Sequence, residues 1–306
     1  MMSESPIVSL CIPTNGVTEW VFPVLDSIVG QNVSPELYEI IVTDNGDNQD
    51  FKQKMRAYQE QHKHIVYEET AALSFANQTE AYRFARGLFI KFINHRALMK
   101  EGALERLIAF VEDYRETKPV VYFSNGVIPM AEEISEYTTF DQFVRHLSYW
   151  SSWSSGLAIW KEDFDKIPED TVYDKMFPHT TILFRERERG HYIIDNTVMT
   201  EELPNGSIPK ARYDLFRTFG VDYPAILFDL LRDQSISYET FKYVKDQNLW
   251  FLVELYWAYV IRKRPCSYDL SGLSRVFDVF YTKADFNKTK RLFVLKKAAG
   301  LFGKRR

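Results

Sequence analysis

The chain has 306 residues, 45% hydrophobic and 26% charged, which is enough for one large folded domain or two unequal ones. A net charge of −4 gives no general case for nucleic-acid binding, and 15% aromatic residues serve a large core before they serve a ligand. Cys11 and Cys266 lie far apart without metal-ligand spacing, no run approaches a bilayer span, and "MMSESPIVSL" lacks the basic and apolar regions of a signal peptide, so a cytoplasmic protein is expected.

"IVSLCI" (7–12) reads as a buried parallel strand stopped by Pro13, and "TEWVFPVLDSIVGQ" (18–31) has helical spacing despite Pro23. "YEIIVTD" (38–44) is a second strand that runs into the turn signal Asp44-Asn45-Gly46-Asp47. A polar helix (51–62), the strand "HIVYEE" and the helix "NQTEAYRFARG", with Asn77 as its N-cap, follow. "LFIKFI" (88–93), the helix "GALERLIAFVEDYRE" and "PVVYFSN" (119–125) complete an alternation that predicts a mostly parallel α/β sheet. Ligands of such sheets bind beyond the carboxyl ends of the strands, where Asn15, Asp44 and Asn94 fall.

After residue 130 the rhythm breaks. "TTFDQFVRHLSYWSSWSSG" runs helix-like into a Ser/Trp loop, "LAIW" and "HYIIDN" read as short strands, and "TTILFRERERG" reads as a helix. "LPNGSIPKAR" (203–212) is the best boundary, so we expect a domain over 1–204 and an α-helical region over 205–306. The segment 283–306 holds nine basic residues against the single acid Asp285, with Leu292, Phe293, Leu295, Leu301 and Phe302 as an apolar side. It reads as a basic amphipathic helix for an anionic membrane surface, or as a solvated tail.

In chain order, "SLCIPTNG", "LDSIVGQ", "EIIVTDNGDNQD", "NQTEAYRFARGLFIKFI", "NHRALMKEGALERL" and "SSGLAIWKEDFDKI" resemble the motifs of family 2 glycosyltransferases of the GT-A fold, over residues 7 to about 196. The O-antigen and capsule transferases, abequosyltransferase-like proteins among them, have the nearest flavour. The resemblance implies a GT-A α/β domain that moves a sugar, with inversion, from a nucleotide-diphosphate sugar to a glycan or polyprenyl-linked acceptor. It also implies work at the inner face of the plasma membrane in bacterial surface-polysaccharide synthesis, without nucleic acid.

The resemblance carries roles onto particular residues. Pro13, Thr14, Asn15, Asp44, Asn45 and Asn77 fall on the nucleotide-sugar segments. Asn94, His95 and Arg96 stand where relatives carry Asp-x-Asp, which holds a divalent cation on the donor diphosphate. Both carboxylates are missing here. Hard Mg²⁺ or Mn²⁺ is poorly held by an amide and an imidazole, whereas Arg96 offers a permanent planar cation for phosphate oxygens. A metal-independent site is therefore expected; its alternative is Mn²⁺ or Mg²⁺ held by Asn94 and His95. Pro178 and His179 stand where relatives carry the Glu-Asp pair that includes the base. His179 is the first candidate for that role, or else a helix-start residue bonded to backbone, with Asp174 in reserve. Trp150, Trp153 and Gly156 fall on the acceptor loop, where the indoles supply flat faces for a sugar or for the core. The missing acids leave one rival, a catalytically inactive domain serving as a nucleotide-sugar-binding scaffold. For a second rival, a nucleotidyltransferase on a similar fold, the Gly-rich loop and Arg-x-x-Pro-Lys signature are absent after the first strand.

Overall fold

The computed structural model describes residues 5–204 and 212–300. They fall into two compact units, Met1–Phe143 with Trp150–Pro204, and Val144–Tyr149 with Asn205–Arg306. The residues 205–211 of the expected boundary segment lie outside the described residues.

The first unit is an α/β domain, as the alternation of strands and helices predicts. Its elements in order are β1 (Val8–Thr14), α1 (Thr18–Val29), β2 (Tyr38–Asp44), α2 (Gln49–Gln61), β3 (Ile65–Glu69), α3 (Asn77–Arg83), β4 (Phe89–Phe92) and β5 (Ala97–Met99). They continue with α4 (Ala103–Tyr114), β6 (Val120–Phe123), β7 (Ile134–Tyr137), α5 (Phe140–Leu147), which passes into the second unit at Val144, then β8 (Ala158–Trp160), α6 (Lys161–Asp165), α7 (Pro178–Leu183), β9 (Tyr192–Asp195) and β10 (Thr200–Glu202). The main sheet has the order β3-β2-β1-β4-β8, parallel except for β8 against β4. A three-stranded sheet β6-β9-β7 and the pair β10-β5 complete it. One apolar core runs through β1, β2, α1 and α4, from Val8, Leu10 and Ile12 to Leu104, Leu107 and Phe110.

Three local readings are corrected. β1 does not stop at Pro13 but pairs on through Pro13↔Thr43 and Thr14↔Asp44. β4 pairs with β1 only as far as Cys11, so the missing N–H of Pro13 falls where that ladder has ended. Asn77 is the first residue of α3 and its side chain does not cap it. α7 spans six residues rather than all of "TTILFRERERG"; the arginine-rich remainder has no apolar stripe to bury.

The second unit is helical: α8 (Leu215–Arg217), α9 (Tyr223–Arg232), α10 (Tyr238–Leu255) and α11 (Lys283–Ala298), with π turns at Thr218–Asp222 and Tyr256–Ile261. Its core gathers Phe216, Leu249, Leu252, Val253, Val276, Tyr281, Phe286 and Phe293. α11 opens with a capping box between Thr282 and Asp285. The amphipathic reading of this segment is corrected in one respect. Phe293 is buried within the unit, while Leu292 and Leu295 stay exposed, so the apolar residues do not form one free stripe. Lys296 lies 4.5 Å from the Trp250 ring and Lys297 lies 5.4 Å from that of Trp257. Leu301, Phe302, Lys304, Arg305 and Arg306 are outside the described residues. Among the described residues no helix is long and apolar enough to cross a membrane.

Candidate active site

The carboxyl ends of β1 and β2 lie side by side, and two tight turns leave them. The Asn45 amide donates to the Thr14 carbonyl at 3.1 Å. A Cβ on Gly46 would sit 2.2 Å from the Asn15 carbonyl oxygen, so only glycine lets the turns approach this closely. Asp44 builds this arrangement from inside. Its Oδ1 accepts from the Gly46 amide at 2.8 Å and its Oδ2 from the Tyr67 hydroxyl at 3.1 Å. Burial pushes its carboxyl above the usual range, and these two bonds oppose the shift. Asp44 is fully buried, so the expected contact between its carboxylate and a nucleotide is corrected to a turn-holding role. Asn77 is corrected likewise. Its Nδ2 donates to the carbonyls of Thr14 and Thr43 and its Oδ1 accepts from Thr70, which fastens the strand ends together. Asn15 is exposed, while half-buried Asn45 donates its Nδ2 to the Ala72 carbonyl at 2.8 Å.

β4 ends beside these turns and runs into Asn94-His95-Arg96. Asn94 Oδ1 accepts from the Arg96 amide at 3.0 Å, an Asx turn. The Arg96 side chain leaves the turn, pairs with Glu202 on β10 at 2.7 Å and lies 5.4 Å from the Trp20 ring on α1. It is 7% exposed. The expectation that Arg96 supplies free positive charge to a diphosphate is therefore corrected: a carboxylate and an indole already hold the guanidinium.

His95 takes the more open position. Its Nδ1 lies 2.9 Å from the Thr14 hydroxyl, whose oxygen also accepts from the Gly16 amide. Among the described contacts His95 Nδ1 is the acceptor the Thr14 hydroxyl proton reaches, so the hydroxyl is assigned as the donor and the imidazole proton to Nε2. Burial, and secondarily the adjacent Arg96 charge, lower its pKa to about 4, so the ring is neutral at pH 7. Nε2 has no hydrogen-bond partner among the described residues and is not enclosed. The relatives' carboxylate is thus replaced by a neutral N–H donor. No group of three metal-ligating side chains occurs among the described residues, and the donor set here, an amide already accepting from backbone and a neutral imidazole, does not suit Mg²⁺ or Mn²⁺.

The loop after α5 is held by its carbonyls. The Tyr122 hydroxyl on β6 donates to Trp150 at 2.6 Å and to Trp153 at 3.1 Å, and the Thr180 hydroxyl donates to Ser151 at 2.8 Å. His179 Nε2 lies 2.9 Å from the Ser152 carbonyl and so donates to it. The rings of Trp150 and Trp153 are 4.7 Å apart, tilted by 39°. Gly156 is buried, and a Cβ there would fall 2.1 Å from the Tyr122 ring. Its expected acceptor contact becomes a close approach that lets the loop lie on that ring.

His179 is corrected as the base. Burial lowers its pKa to about 4, opposed by the bond to Ser152 and by the charge of Asp174, and its Nδ1 is enclosed without a partner. A nitrogen shut away from solvent is shut away from an acceptor hydroxyl as well. Asp174 is half-buried, and only its Oδ1 is engaged, by the amides of Met176 and Phe177 at 2.8 Å. Its Oδ2 makes no hydrogen bond among the described residues.

The sequence reading missed Tyr122, Thr180 and Lys91, the buried lysine within β4. Lys91 carried one available signal: a lone basic residue inside the apolar run "FIKFI" needs a dedicated set of acceptors. Tyr122 and Thr180 carried none.

A profile described as "Glycosyl transferase family 2" matches residues 9–177. The fold is similar to that of S. aureus TarS 1-349 in complex with UDP-GlcNAc, with TM-score 0.57 and 13% identity over 96% of this chain and 92% of that one. It is similar to a longer S. aureus TarS chain with TM-score 0.53 and 14% identity, covering 82% of this chain but only 44% of that one. No curated protein matches the sequence.

Proposed function

The chain belongs to glycosyl transferase family 2, and we propose that it is an inverting glycosyltransferase which moves a sugar from a nucleotide-diphosphate donor to a glycan acceptor in bacterial surface-polysaccharide synthesis. The observation that carries this reading is the joint geometry of Thr14, Gly46 and His95, two locked turns and one imidazole at neighbouring strand ends. Asn15 faces the nucleotide beside the Asn45 turn, and His95 Nε2–H donates to a donor oxygen where relatives place a metal-binding acid. Donor binding then proceeds without a divalent cation. The acceptor hydroxyl attacks the anomeric carbon, the bond to the diphosphate oxygen breaks, and Asp174 takes the hydroxyl proton. His179 and Thr180 hold the loop beside it.

UDP-GlcNAc, the ligand in the TarS complex, is the first donor to try. A thermal-shift panel of nucleotide-sugars with and without EDTA tests the reading. A bound donor stabilises the fold in proportion to its saturation, and the shift should survive EDTA. Stabilisation that vanishes with EDTA and returns with Mn²⁺ would overturn metal independence. No shift with any donor would overturn the donor site, and donor hydrolysis or transfer by the purified protein would exclude an inactive nucleotide-sugar-binding scaffold.

We propose further that α11 docks the protein on the anionic inner face of the plasma membrane through Lys290, Lys296 and Lys297, where polyprenyl-linked acceptors lie. Removing everything after Asp285 would strip Phe286 and Phe293 from the core, so charge substitution is the cleaner experiment. Lys→Gln at these three positions should weaken binding to phosphatidylserine vesicles by about 1 kcal/mol per lysine. Unchanged sedimentation would exclude the surface.

A further inference from the structure

Lys91 occupies the middle of β4, paired with Leu10 on one side and Ala158 on the other, and is 4% exposed. It shares a face of the strand with Phe89, whose ring packs among Phe110, Phe123 and Trp160. An ammonium among such neighbours is costly unless its donors are used, and here they are. Nζ donates to the carbonyls of Ser155 at 2.6 Å, Phe92 at 2.9 Å and Leu157 at 3.3 Å, and lies 5.4 Å from the Phe123 ring. Two of the three carbonyls belong to the turn that follows Trp153. For the Ser155 carbonyl, Lys91 is the donor among the described contacts. Burial alone, with no charged neighbour contributing, lowers the pKa to about 7.

We propose that Lys91 is a positioning residue: its buried ammonium fixes the 154–157 turn from beneath and thereby sets the Trp150–Trp153 pair as the acceptor platform. The inference rests on the reading that this loop meets the acceptor. Lys91 touches no reacting atom. It acts through the Ser155 and Leu157 carbonyls, as Tyr122, Thr180 and His179 act through those of Trp150, Ser151, Ser152 and Trp153, so the captured backbone oxygens hold the loop while the indoles keep one mutual geometry.

Indoles this close give an exciton-coupled circular dichroism band, assigned by its loss in Trp153→Phe. Lys91→Met should lose that band while the thermal shift produced by UDP stays as in the wild type. Lys91→Arg, which keeps a cation with several donors, should restore part of it. Transfer to soluble glycan fragments should show an acceptor KM raised about tenfold with kcat little changed, the loss of roughly one charge-assisted hydrogen bond. Should Lys91→Met fail to fold, Lys91→Gln, with two N–H donors and no charge, takes its place under the same expectation. An undiminished band in the folded variant overturns the clamp. If the band is lost in Trp153→Phe but the acceptor KM is unmoved, the acceptor reading of the loop fails while the Lys91 clamp still stands.

Discussion

The donor edge and the 150–157 loop lie in the same unit and are held in different proportions by near and far residues. At the donor edge the turns are closed by residues close in sequence, where Asp44 takes the Gly46 amide, Asn94 takes the Arg96 amide and Thr14 takes the Gly16 amide, and Asn77 reaches in from farther along the chain to two strand-end carbonyls. In the loop, side chains far away in sequence seize the backbone carbonyls, from Lys91 on β4, Tyr122 on β6, and His179 and Thr180 on α7. The two histidines follow the same division. His95 lends one nitrogen to a local turn and keeps the other open, whereas His179 spends one nitrogen on the loop and has the other enclosed. A local turn leaves side chains free to meet a ligand; a long-range clamp consumes them.

The largest expected effect separates the chemistry from the clamp. Asp174→Asn keeps an oxygen for the amides of Met176 and Phe177 but cannot accept a proton as a carboxylate does. Turnover should fall about 10²–10⁴-fold with donor binding intact. His179→Gln should cost far less, since an amide N–H can still serve Ser152. Comparable losses in the two variants would restore the imidazole as the base.

This division explains what was legible in the sequence. The β–α alternation and the Asp44-Asn45-Gly46 turn follow from short-range pattern, and the seven strands that pattern gives lie within a residue or two of their places, while the short β5, β7 and β10 left no signal in it. Arg96 and Asn77 were misread for one reason. A polar residue at a strand end looks the same whether it faces a ligand or a partner from elsewhere in the chain. Glu202, which captures Arg96, is over a hundred residues away on a strand too short to show a period. The loop clamp was invisible because its acceptors are backbone oxygens, which every residue carries.

Acid should probe both regions at once. Each imidazole has a folded pKa near 4 against an unfolded value of about 6.5. Between those values the unfolded chain binds more protons. Stability is therefore fully present above about 6.5 and is lost as the pH falls through 4. The loss is at most on the order of 3 kcal/mol per histidine, and larger for the enclosed His179 than for the partly open His95. Urea denaturation across this range should show a steeper acid decline in the wild type than in His179→Gln. Parallel curves would mean that the ring is not held neutral by burial.

At the donor edge, His95→Ala should weaken donor binding about 10–100-fold, the worth of one hydrogen bond to a charged group. The loop's exciton band should be untouched. Affinity at the wild-type level would remove His95 from the donor site and reopen the question of what replaces the missing acids.

The smallest effect asks whether the clamp is hydrogen bonding or packing. Tyr122 does both, since its hydroxyl serves Trp150 and Trp153 while its ring lies under Gly156. Tyr122→Phe removes only the hydroxyl. The Trp150 carbonyl keeps the Trp153 amide as a donor at 2.9 Å, and loss of the hydroxyl should cost about 1–2 kcal/mol of stability. Gly156→Ala does the converse. It leaves the hydroxyl in place but puts a methyl group where the ring already is, and the loop must lift. If the loop is a hydrogen-bonded clamp, the two substitutions should both weaken the Trp150–Trp153 exciton band, Gly156→Ala the more strongly, and neither should alter the thermal shift produced by UDP. A band that responds to Gly156→Ala but not to Tyr122→Phe would make ring packing the holding force, and the contrast with the donor edge would then lie in close packing rather than in captured carbonyls.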